Sequence, residues 1–179
     1  MLLAPWPAML KGLYNDPQGY NDRYWTRFDK CYLTGDVARI DEDGYVWIQG
    51  RADDVLKVSA HRISNAEVES ALVSHEDVAE AAVIGKPHSI KGESIAAFVV
   101  LKEETVPNDE LRSELIQHVR KEIGGIAKPD ELWFVRGLPK TRSGKIMRRV
   151  VKAKALGTPT GDITTLSNPE TVSELEHLK

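Results

Sequence analysis

The sequence predicts an α+β fold: a three-stranded sheet flanked by helices and preceded by β-hairpins. Three observations carry this. The runs 78–84 and 95–101 are apolar and rich in β-branched residues, which suits central strands, and Leu132 to Val135 reads as a third. Helix signals alternate with them, in the capping box Ser64-x-x-Glu67 and in the cap Asn108 followed by Leu111, Leu115, Val119 and Ile123. Asp43-Gly44 stands between β-prone residues, a strong hairpin signal because both positions tolerate positive φ.

Taken in order, residues 1–27 hold the turns Pro5-Trp6-Pro7, Asn15-Asp16-Pro17 and Gln18-Gly19, with Trp6, Tyr14, Tyr20, Tyr24 and Trp25 among them. No period of 2 or 3.6 persists, so this segment is expected to pack on a neighbour or to be a globular domain's irregular arm. A hairpin follows, with strands at 37–41 and 45–48. Thr34-Gly35-Asp36 precedes it and Gly50-Arg51 closes it. A carboxylate can accept from ribose hydroxyls and an arginine can donate to hydroxyl or phosphate oxygens, although either is ordinary at a surface turn. After the polar link 52–54, residues 55–63 can form a second hairpin around Ser59-Ala60. A helix from Ser64 should end near His75, with Val68, Ala71 and Leu72 on one face. The polar segment 85–94 links the two central strands, and Gly124-Gly125 ends the helix that begins at Asn108. A last helix is expected over 146–156, stopping at Gly157. The stretch 165–179 is expected to be mobile in part.

At 179 residues, 41% hydrophobic and 28% charged, the chain has the composition of a soluble globular domain. No apolar run approaches the ~20 residues of a membrane span, and no leader pattern opens the sequence. One cysteine, Cys31, permits neither an internal disulfide nor a cysteine zinc cluster, and the histidines show no H-E-x-x-H spacing. A cytoplasmic setting and no metal site are expected.

The net charge of −3 conceals a polarised chain. Arg136 to Lys154 carries eight of the 24 basic residues and no acid, leaving sixteen against 27 elsewhere, a balance of −11. Within it, Pro139 to Arg149 reads P-K-T-R-S-G-K-I-M-R-R. This turn presents Lys145 where it meets the following helix, and Gly144 lets a backbone approach closely, so the loop suits a nucleotide phosphate. A solvated basic helix is the plainer alternative. Pro139 and Ile146 stand where a Walker A loop needs glycine and Ser or Thr. Aromatic residues precede the basic run instead of interleaving with it, against nucleic-acid binding.

This motif resembles the C-terminal catalytic loop of the adenylate-forming enzymes, and is most similar to AMP-forming acetyl-CoA synthetases. The resemblance covers nearly the whole chain. It implies that 1–52 is the end of a large N-terminal adenylation domain, 53–157 a mobile C-terminal catalytic domain and 158–179 a tail. It implies that Lys145 is the adenylation lysine and an acetylation site, that Asp36 and Arg51 hold the ribose, and that Arg62 reaches the phosphates. Asp53 would be the hinge. Ser59, Ala60 and Arg120 would serve CoA; Ala60 stands where the family pattern has glycine, which would narrow the pantetheine passage. ATP/AMP, CoA and Mg2+ carried with ATP are implied as ligands. The implied partners are the remaining adenylation domain, a small carboxylic acid and a lysine acetyltransferase and deacetylase, with neither nucleic acid nor membrane. The expected reaction joins acetate to CoA at the expense of ATP, giving AMP and pyrophosphate. Because most of the adenylation pocket is missing from these residues, the chain alone is expected to be inactive. The competing reading is a non-catalytic nucleotide- or CoA-binding module derived from a ligase lid.

Overall fold

The computed structural model describes all residues except 1, 5, 53 and 176–179. The chain forms two compact units, Met1–Asp53 and Asp54–Lys179. Asp53, the expected hinge, lies outside the described residues.

The first unit begins with helix α1 (Pro17–Tyr24), started by Pro17 and by the Asp16 carboxylate, which accepts from Gly19 N at 2.9 Å. Its aromatic residues form a small cluster: Tyr24 stacks on Tyr32 with ring centroids 5.1 Å apart, and Trp25 meets Tyr32 edge-on at 5.3 Å. The hairpin β1 (Asp36–Ile40) and β2 (Val46–Arg51) is antiparallel. Its turn is wider than a two-residue loop. The Asp41 carboxylate accepts from Tyr45 N, Asp43 N and Trp47 Nε1 (2.8, 3.2 and 2.6 Å), while only Gly44 takes positive φ, +86°. Ile40, Tyr45, Val46, Trp47 and Ile48 remain 55–69% exposed.

The second unit is a sheet between two helical layers. Its strands are β3 (Val55–Val58), β4 (His61–Ser64), β5 (Val78–His88), β6 (Gly92–Leu101) and β7 (Glu131–Phe134), in the order β4-β3-β6-β5 with β7 parallel to β6. The three expected strands are β5, β6 and β7; the small hairpin joins them through Val58 and Gly92, making five. β5 and β6 also run through the polar segment expected to link them, because pairing continues from Gly85–Ile95 to His88–Gly92.

Alternation along the strands sorts the core. Ala81, Val83, Ile95, Ala97, Val99 and Leu132 face α2 (Asn65–Val73) and α3 (Asp109–Glu122), whose Val68, Leu72, Leu115 and Val119 are fully buried. Ala82, Ile84, Ala96, Phe98 and Val135 face the opposite layer, α4 (Arg148–Leu156) and α5 (Glu170–Leu175). At the free edge of β5, α2 supplies the missing partners. Asn65 Nδ2 donates to Val83 O at 2.8 Å, and Val83 N donates to Glu69 Oε1 at 2.9 Å. α4 starts at Arg148, two residues later than expected, because Ile146 bridges Lys140 and Met147 N donates to Pro139 O. The stretch expected to be mobile is built into the unit as far as Leu175: Val172 is 8% and Leu175 1% exposed.

Candidate active site

The loop between β7 and α4 is a closed hairpin. Thr141 N donates to Lys145 O (2.9 Å), Gly144 N to Thr141 O (2.9 Å) and Lys145 N to Thr141 Oγ1 (3.2 Å); Gly144 turns the chain at φ +80°. Lys145 is therefore fixed at its backbone while its side chain is exposed. The basic residues around it are mostly committed. Lys140 Nζ meets Glu80 at 2.5 Å, Lys152 meets Glu93 at 3.5 Å, and Arg148 forms two bonds with the buried Glu69 and lies 3.5 Å from Asp54. Among the described residues Arg142 and Lys145, at the hairpin tip, have no side-chain partner. Three of the eight basic residues of the run thus face carboxylates, while Arg142 and Lys145 keep their charge exposed at the tip.

Arg148 and Arg149 stand in the first turn of α4, where the helix dipole disfavours cations, and no acid accompanies them there. Other contacts offset the conflict. The Glu69 carboxylate holds the Arg148 guanidinium above its ordinary pKa by hydrogen bonding, against the opposing effect of burial. Arg149 donates to the carbonyls of Thr160 and Asp162.

In the first unit Asp36 and Arg51 are cross-strand partners. Arg51 Nη1 lies 3.4 Å from Asp36 Oδ1 and donates to Thr34 O at 3.0 Å. The guanidinium lies over Gly35, where an added Cβ would approach its nitrogen to 2.6 Å. A cavity of about 470 Å³ beside them is lined by Arg23, Tyr24, Arg27, Leu33, Thr34, Gly35, Arg51 and Ala52. Two arginines there, Arg23 and Arg27, were not singled out from the sequence; their spacing of four at the end of a short helix was the available signal.

In the second unit the β3–β4 turn carries Ser59 and Ala60, both exposed. Positive φ falls on Ser59 (+55°) and not on Ala60, so the alanine is not in a left-handed conformation. Ser59 N donates to Lys91 O at 2.7 Å, tying the tip to the β5–β6 turn. Arg62 is exposed and directly opposite Lys57, a like-charge pair that costs stability without an anion between them. Arg120 is exposed in the last turn of α3. The structure therefore brings Asp36 and Arg51 together, and separately Ser59, Ala60 and Arg62 on one hairpin. Lys145 precedes a helix on one face of the sheet, while Arg120 lies on a helix on the other.

No group of three or more His, Cys, Asp or Glu able to hold a metal occurs among the described residues. These residues do not fit a Mg2+ site of their own. No described helix is long and apolar enough to cross a membrane.

Residues 67–145 match the family described as AMP-binding enzyme C-terminal domain, a match that stops at Lys145 itself. The chain is 57% identical over 176 residues to acetyl-coenzyme A synthetase of Methanothrix thermoacetophila, covering 96% of this chain and 27% of that protein. Acetoacetyl-CoA synthetase from Streptomyces lividans superimposes with a TM-score of 0.84 at 27% identity, over 97% of this chain and 27% of that one. An ATP-bound RpMatB-BxBclM chimera gives a TM-score of 0.69 at 34% identity, over 79% of this chain and 28% of that one. The chain spans about a quarter of the length of the curated relatives it matches.

Proposed function

Because this chain belongs to the AMP-binding enzymes and carries their C-terminal domain, we propose that it works as the C-terminal part of an AMP-forming acetate–CoA ligase. In that reaction a carboxylate oxygen attacks the α-phosphorus of ATP, forming acyl-AMP as pyrophosphate leaves. The CoA sulfur then attacks the acyl carbonyl; AMP leaves and the thiol proton is given up.

Lys145 is the residue assigned to the first step. The observation that carries this is a lysine exposed at the tip of a hydrogen-bonded hairpin, with Lys140 and Arg148 at its base paired to Glu80 and Glu69. Such a donor is preorganised, and preorganised charge stabilisation of this kind is worth about 3–4 kcal/mol. Asp36 and Arg51 would hold the ribose and Arg62 the phosphates; the opposed Lys57 and Arg62 support an anion there. Ser59, Ala60 and Arg120 would serve CoA. The faces carrying Lys145 and Arg120 would be used in turn, with Asp53 as the pivot. Mg2+ would come with the triphosphate. We assign the protein to the cytoplasm, with Lys145 open to acetylation, which would remove the charge the first step needs.

The test uses the longer enzyme, with an adenylation domain preceding this chain. Lys145→Ala should abolish acyl-AMP formation in a pyrophosphate-release assay while conversion of preformed acyl-AMP to acyl-CoA persists. Equal loss of both steps would overturn the assignment. The 179-residue chain alone should release no AMP above its own Lys145→Ala control.

A further inference from the structure

The matched family region ends at Lys145, yet the hairpin that carries this lysine is completed by residues more than twenty positions later. In its first arm Lys140 pairs with Ile146 through the flanking bonds, so the N–H and C=O of Lys140 itself point away from the second arm. Both are taken by the C-terminal segment. Lys140 N donates to Asn168 Oδ1 at 2.8 Å, while Ser167 N and Ser167 Oγ donate to Lys140 O at 2.8 and 3.0 Å. Leu166 bridges Thr141, and Asn168 Nδ2 donates to Leu138 O at 2.8 Å. One asparagine side chain thus acts as donor and acceptor to the backbone leading into the hairpin.

The segment is itself anchored on both sides. Upstream, Arg149 holds the carbonyls of Thr160 and Asp162. Downstream, Val172 packs with Met147 and Val150, with Leu166 against them, and Leu175 reaches the core below α4. Anchored ends with a hydrogen-bonded segment between them restrain a loop far more than a hydrophobic contact would, because hydrogen bonds are directional.

We propose that residues 166–168 are a positioning strand for Lys145, with Asn168 as its main positioning residue, so that the lysine adopts its adenylating position only when this strand is paired. The inference rests on the assignment of Lys145 to acyl-AMP formation. A misplacement of about 1 Å at a reacting group can cost on the order of 100-fold, so loss of one strand bond should register in the first step alone.

The experiment is Asn168→Ala, with Asn168→Asp as the variant that keeps the acceptor for Lys140 N. In the longer enzyme, Asn168→Ala should lower kcat for acyl-AMP formation by about 10- to 100-fold and leave the thioester step from preformed acyl-AMP within about twofold, and Asn168→Asp should recover part of the loss. In the 179-residue chain, amide hydrogen exchange across 140–146 should rise about tenfold, while the β6 amides 95–99 stay protected. An unchanged hairpin and unchanged adenylation overturn the inference. So does an equal fall in both steps, which would mark Asn168 as merely structural. Lys145→Ala run in parallel separates the two ideas. If that variant is inactive and Asn168→Ala is normal, only the strand's role falls; if that variant adenylates normally, the assignment of Lys145 falls first.

Discussion

A single side chain can be worth more to this domain than its charge implies. Arg148 is the counter-ion of Glu69, which is only 8% exposed and also accepts from Val83 N. Arg148→Ala would leave that carboxylate buried and unpaired, a change that typically costs about 3–5 kcal/mol; urea unfolding of the 179-residue chain should show it, while an Arg149→Ala control at the same helix end loses less. The β3–β4 turn gives a second case. Its left-handed residue is Ser59, so Ser59→Gly should relieve about 1 kcal/mol of backbone strain and raise the urea midpoint. Ala60→Gly has no strain to relieve and should lower stability by about 0.4–1 kcal/mol through the unfolded chain. If the Ala60 methyl group does narrow the CoA path, the same substitution speeds the thioester step with acyl-AMP formation unchanged. A Ser59→Gly variant no more stable than the parent would contradict the turn geometry.

Among the elements, the β1–β2 hairpin carries a titrating carboxyl in its turn. The Trp47 indole and three turn amides hold the Asp41 carboxyl below the usual carboxylate range. A carboxyl lowered in the folded state adds stability above its unfolded pKa of about 3.9, and that stability disappears as pH falls through the folded value. The Trp47 Nε1–H resonance should therefore keep its folded shift down to about pH 4 and move below it, and Asp41→Asn should abolish the transition. This turn also shows where sequence reading works. Asp43-Gly44, Asn108, Gly157 and the alternation within 78–84 are local signals, and each produced its element because the physics behind it acts over a few residues. The additions were non-local. Nothing in Leu166-Ser167-Asn168 has strand periodicity, and its pairing with Lys140 depends on carbonyls that a sequence does not display. Likewise Glu69 reads as an ordinary helix position until Arg148, 79 residues on, is folded against it. Of the site, the exposure of Lys145 was legible in the turn chemistry of Thr141 to Gly144; the hydrogen bonds that residues 167 and 168 make to its hairpin were not.

Across the whole molecule, the two units differ in what holds them. The second has two cores on either side of a sheet, with Phe98, Leu72, Ile84 and Leu115 at or below 2% exposure. The first rests on a small aromatic cluster and a hairpin that keeps its large apolar side chains in water, the condition of a surface made to be covered. Limited proteolysis of the isolated chain should accordingly cut within Met1–Asp53 long before Asp54–Lys179, and comparable cleavage rates in the two would refute this difference in local stability. The placement of residues 166–168 has one more consequence, for the order in which a newly made protein becomes competent. Translation delivers Lys145 first and the strand that restrains it later, so during synthesis the lysine exists for a time on an unfinished hairpin. The adenylation role proposed for that lysine would thereby wait until residues 166–168 have been made, and a ribosome that stalls before Leu166 would release a product with Lys145 present but unaimed.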